Sequence, residues 1–244
     1  PIRCISNTIP LPVISNILFV QDIDFDLVKY LAPGAKTLSE GEALRLAIDA
    51  LPQQERFIVR NLIEYIKERQ RYIPASVLDR LETISFVIAG DSKISAPKKL
   101  LDPVCEAASL YSPNDRYVPK DETRIVDALR TLGAFKTTID PEMALERIEF
   151  ISSHSDLITR HNLAMKLFSL IQTSSFNLLE LKVDDRLEWV PSDDFKVVRP
   201  SECYDPLIYP LSLFNRVAKV IQPSLIVSLP LRSLLGWNVA IRRD

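Results

Sequence analysis

The sequence predicts an α+β fold, predominantly helical with short β-ribbons, built from an internal repeat of about 100 residues. Three observations predict it. Apolar residues recur at helical spacing in several stretches bounded by proline, aspartate and glycine. Short β-branched and aromatic runs flank the turn signals Gly90-Asp91 and Asp193-Asp194. The stretch 82–103 returns as 185–206 at a constant offset of 103 residues, so that Phe86 maps to Trp189, Asp91 to Asp194, Ile94 to Val197, Pro97 to Pro200 and Asp102-Pro103 to Asp205-Pro206.

Residues 1–20 carry Pro10 and Pro12 and the apolar residues Ile14, Ile17, Leu18, Phe19 and Val20, which predict a strand or an irregular extended segment. Asp22 or Asp24 caps a short predicted helix through Leu31, closed by Pro33-Gly34. Ser39 with Glu42 forms a capping box for a helix carrying Leu44, Ala47, Ile48 and Leu51. Pro52 interrupts it or starts the next helix. That helix runs to about Tyr72, with Phe57, Ile58, Leu62, Ile63 and Ile66 on its apolar face. Ala75 to Leu81 is a short helix. Phe86 to Ile88 and Lys93 to Ser95 are expected to pair as strands.

Asp102 is expected to cap a helix from Pro103 to about Tyr111, and Asp121 or Thr123 to cap one from Glu122 to Leu132, ended by Gly133. Asp140-Pro141 starts a helix to about Ile151. A longer helix spans about Asp156 to Ile171, with Leu163, Ala164, Leu167, Phe168 and Ile171 on one face. After Leu178 to Val183 the strand pair returns as Leu187 to Val190 and Phe195 to Val198. A short helix near Leu213 to Val217, an extended piece near Ile226 and a last helix from Pro230 to Leu235 are expected beyond it.

Further matches extend the repeat. Leu132-Gly133 maps to Leu235-Gly236 at the same offset, and Lys136-Thr137 and Ala144-Leu145 map to Lys36-Thr37 and Ala43-Leu44, with one residue gained between the two pairs. The organisation read from this is a partial first unit over 1–103, a second over 104–206, and a linker with the start of a third over 207–244. The chain therefore reads as a fragment of a much larger protein.

Composition narrows the function classes. Hydrophobic residues make up 47 % and charged residues 25 %, enough apolar material for a core. A net charge of −2 supplies no field for nucleic acid or an anionic membrane. No apolar run approaches the length of a membrane span. The cysteines Cys4, Cys105 and Cys203 are odd in number and far apart, without C-x-x-C spacing; this points to a reducing, cytoplasmic setting.

Several residues invite chemistry, and each has a plainer reading. His154 and His161 are the only histidines and could share a helix face with Asp156 nearby, but no third ligand has metal-site spacing, so a solvated helix-end pair is preferred. Asp184-Asp185 and Asp193-Asp194 gather acid around Trp189; turn aspartates explain them as well as acid–base work does. Cys105 and Cys203 lack a nearby histidine and read as small buried hydrophobes. Ser224 to Ser233 contains no G-x-S-x-G elbow. Trp189 and Trp237 could stack a ligand, yet Trp189 holds the strand position of Phe86 and reads as a core anchor. The charged face of the helix Phe57 to Arg69 could dock a partner, and more simply is solvated. No catalytic, cofactor-binding or metal residue is assigned, and no cofactor is expected.

Leu100-Leu101-Asp102-Pro103, Leu129 to Leu132, Gly133, Lys136-Thr137, Pro141, Ala144-Leu145 and Trp189-Val190-Pro191 together resemble the repeated regions of sacsin and sacsin-like proteins. The resemblance covers most of residues 80–206. Members of that family join a heat-shock-type (GHKL) ATPase module to a long regulatory region. The resemblance implies a proteostasis role with protein partners or neighbouring domains of the same chain. The chain departs from the ATPase module, having no Asp-x-Gly-x-Gly and only five glycines, none spaced as a phosphate cradle. The expected function is a non-catalytic scaffold or regulatory segment. The alternatives are a hydrolase or transferase using an Asp/His cluster, and a self-standing helical adaptor.

Overall fold

A computed structural model describes residues 2–4, 18–20, 36–37, 40–174, 176, 181–204, 219–220 and 234–235. The fold is mixed α+β and predominantly helical, with short two-stranded antiparallel ribbons. The chain divides into two compact units, Pro1–Thr137 and Thr138–Asp244. The expected helix before Leu31, the cap Ser39, the elements expected over 205–218 and 221–233, and Trp237 lie outside the described residues.

In the first unit, β1 (Ile2–Cys4) lies between β2 (Leu18–Val20) and β3 (Lys36–Thr37) and is parallel to both, with Arg3 opposite Phe19 and Lys36. α1 (Glu40–Ala50) buries Ala43, Leu44, Ala47 and Ile48. Pro52 lacks an amide donor and sits in a 3-10 turn, Leu51–Gln53. α2 (Arg56–Glu68) buries Val59, Leu62, Ile63 and Ile66. The sequence reading put Phe57 on this stripe, but Phe57 is 50 % exposed and Val59 takes its place. Val59 stands three and four residues before Leu62 and Ile63, so it shares their face. The helix stops at Glu68, and the expected extension to Tyr72 is a separate 3-10 turn, Gln70–Tyr72.

α3 (Ala75–Thr83) leads into the ribbon β4 (Val87–Ile88) and β5 (Ile94–Ser95), with Val87 opposite Ser95. The helix expected from Pro103 is absent. The Asp102 carboxylate accepts from Val104 N at 3.0 Å, closing an Asx turn, and only the 3-10 stretch Glu106–Leu110 follows. α4 (Thr123–Thr131) ends at Gly133, whose φ of 71° suits glycine. The Gly133 and Ala134 amides donate to the carbonyls of Arg130 and Leu129, a Schellman closure. α1 packs on α3 and α2 on α4, and their buried faces form one core with Phe86, Val87 and Leu100. Each fully buried Leu, Ile or Val there contributes about 1.5–3 kcal/mol relative to exposure.

The second unit opens with α5 (Pro141–Ser153), capped by Asp140, whose carboxylate accepts from Met143 N at 2.9 Å. α6 (Leu157–Thr173) is capped by Asp156, which accepts from Thr159 N at 2.9 Å. α6 packs against α5 and against the ribbon β6 (Val190–Pro191) and β7 (Val197–Val198). Its buried face is His161, Ala164, Leu167, Phe168, Leu170 and Ile171; the expected Leu163 is half-buried. β8 (Cys203–Tyr204) runs parallel to β9 (Lys219–Val220). No helix among the described residues is long and apolar enough to cross a membrane.

The two ribbons correspond bond for bond. Phe86 N donates to Ser95 O at 3.2 Å, and Trp189 N to Val198 O at 3.1 Å. Ala89 N donates to Lys93 O at 2.8 Å, and Ser192 N to Lys196 O at 2.9 Å. Ser92 and Phe195 hold the same left-handed position, with φ of 66° and 61°. The helices correspond in burial: Ala43, Leu44, Ala47, Ile48 and Leu51 match Met143, Ala144, Arg147, Ile148 and Ile151, all buried, at a constant spacing of 100 residues. This corrects the residue gained in the sequence alignment. Burial pairs Ala144 with Leu44, not with Ala43, because the buried stripe governs the helix register and chance identity does not.

A backbone pairing adds a correspondence that side chains do not show. Arg3 lies opposite Phe19, Leu101 N donates to Tyr117 O at 2.8 Å, and Tyr204 lies opposite Val220. Each pair is separated by 16 residues along the chain. Arg3 and Leu101 have a further parallel neighbour in a lysine, Lys36 and Lys136 respectively.

Candidate functional site

The second ribbon and the start of α6 bring together more of the candidate residues than any other part of the described chain. A tight turn at Ser192–Lys196 joins β6 to β7. Its geometry comes from Phe195 N, which donates to Ser192 O at 3.2 Å, and from the left-handed backbone at Phe195. A bulky side chain in that region is strained, so the turn holds it against a local cost. His161, one turn into α6, places Nε2 at 3.3 Å from Ser192 O and its ring 5.6 Å from the Phe195 ring. A carbonyl only accepts, so this bond requires the proton on Nε2.

Ser192, His161 and Asp194 are thus neighbours, a set that suggests nucleophilic catalysis until the bonds are traced. The Ser192 hydroxyl points to Asp194 Oδ1 and to Lys196 O, at 3.0 Å from the latter, while His161 meets the Ser192 main chain. A general base must hold the nucleophile's own proton. Here the hydroxyl is directed to the carboxylate and Ser192 is fully buried, so the group braces the turn. Asp194 also pairs with Lys196 Nζ at 2.9 Å. Burial alone would raise the Asp194 pKa; the Ser192 hydroxyl and the Lys196 ammonium outweigh it and hold the carboxyl below its usual range.

The other acidic residues serve turns and caps. Asp184 accepts from Arg186 N at 2.9 Å, and Asp185 is exposed. Asp156 is held below the usual carboxylate range by the bonds from Thr159. His154 is half-buried at the end of α5 and accepts from Asp156 N at 3.2 Å through Nδ1. Arg160 Nη2 meets Glu188 Oε2 at 2.6 Å, and Glu188 N donates to Ser152 Oγ at 3.1 Å, tying the segment that leads into β6 to both helices. Among the described residues no group of three or more His, Cys, Asp or Glu is arranged to hold a metal ion.

Trp189 is buried against Phe168, ring centroids 6.0 Å apart, in the place Phe86 holds in the first ribbon. Among the described residues its Nε1–H has no hydrogen-bond partner. Cys203 is buried, and burial pushes the Cys105 thiol up, which lowers its thiolate fraction.

Sequence reasoning missed the apolar surface beside this turn. Leu157 is 61 %, Ile158 74 % and Phe195 71 % exposed. Leu157 and Ile158 precede His161 by four and three residues, so they share its face of α6. A signal was present: Phe195 replaces the small polar Ser92 at the tip of the ribbon, where no core position demands an aromatic. Comparison with protein-family models, with curated proteins and with solved structures gave no match.

Proposed function

We propose that the chain is a non-catalytic scaffold or regulatory repeat segment of a sacsin-like chaperone. Its units are a partial one over 1–103, a second over 104–206, and the start of a third within 207–244. The reading is supported by the correspondence of the two ribbons in register, left-handed residue and flanking bonds. A two-residue ribbon is too small to be stable alone, so each must be held by its helices. Val87, Asp91 and Pro97 recur as Val190, Asp194 and Pro200, whereas the exposed tip of the turn changes from Ser92 to Phe195. A scaffold that retains its joints and varies its surface has this pattern.

In this reading the segment works in the cytoplasm by positioning an adjacent ATPase module or by holding a client protein. It needs no cofactor of its own. The test is light scattering from a thermally unfolding client enzyme with the chain added, with and without ATP. The proposal expects suppression that rises with chain concentration and is unchanged by ATP. Unchanged scattering at a several-fold molar excess overturns client holding, and suppression that requires ATP hydrolysis by this chain alone overturns the non-catalytic reading.

A further inference from the structure

We draw no further inference here: the strongest candidate, the exposed apolar patch of Leu157, Ile158 and Phe195 around His161 at the start of α6 and the tip of the second ribbon, carries nothing because nothing in the structure shows what covers it.

Discussion

Arg56 and Asp121 form an ion pair that ties three elements of the first unit at one point. Arg56 Nη2 meets Asp121 Oδ2, and Nη1 donates to Phe86 O at 2.9 Å. The same carboxylate accepts from Ile88 N at 2.9 Å and from Glu122 N at 2.7 Å. The start of α2, the ribbon and the approach to α4 therefore share one charge pair. The Asp121 side chain is 1 % exposed and that of Arg56 31 %, so the two substitutions are not equivalent. Arg56→Ala strands a buried carboxylate and should cost about 3 kcal/mol. Asp121→Asn keeps an acceptor for Ile88 and should cost about 1–2 kcal/mol. Urea unfolding measures both; an unchanged midpoint for Arg56→Ala would remove the pair from the account.

The role of Asp121 shows where sequence reasoning stops. Either Asp121 or Thr123 was expected to cap the following helix, as such residues before helices do. The Asp121 carboxylate instead turns inward, and α4 begins without a side-chain cap. Local sequence contains no record of a partner 65 residues away. Asp102 deviates similarly, closing an Asx turn where a helix was expected. Asp140 caps as expected, and Asp156, expected only as the start of its helix, caps too, each carboxylate accepting from the amide three residues on. The ribbons were legible because Asp91, Pro97 and their counterparts hold local turns. The pairing of Arg3, Leu101 and Tyr204 with residues 16 positions on was not, because it is made by main-chain groups that every residue type other than proline carries alike.

Gly90 and Asp193 occupy equivalent positions with opposite tolerance. A Cβ at Gly90 would come within 2.5 Å of the carbonyl oxygens of Pro113 and Asp115. Gly90→Ala must therefore displace backbone and should cost about 2–3 kcal/mol. Asp193→Ala, at a half-buried position, should stay within about 1 kcal/mol of the parent. Thermal melts of the two variants decide it, and a neutral Gly90→Ala would contradict the close packing.

Trp189 tests the core of the second unit. Trp189→Ala opens a cavity beside Phe168 and should cost about 3–5 kcal/mol. Trp189→Phe installs the residue of the first ribbon and removes a buried N–H that lacks a partner among the described residues. Its cost should be near 1 kcal/mol. Equal losses for the two variants would argue against an aromatic anchor.

Acid should loosen the second ribbon through Asp194. Its folded pKa lies below the unfolded value, so its stabilising contribution is present above the ordinary carboxylate range and is lost as pH falls through the folded value. Asp194→Asn should flatten the fall in urea midpoint between about pH 5 and pH 2. A profile parallel to that of the parent protein would show that the Ser192 and Lys196 contacts do not bias its protonation.

The most direct measurement of the central claim, that the two ribbons are copies of one unit, is the cross-strand register in solution. Backbone NOEs and φ-sensitive couplings should place Val87 opposite Ser95 and Val190 opposite Val198, with positive φ at both Ser92 and Phe195. A different register in the second ribbon, or a negative φ at Phe195, would contradict it.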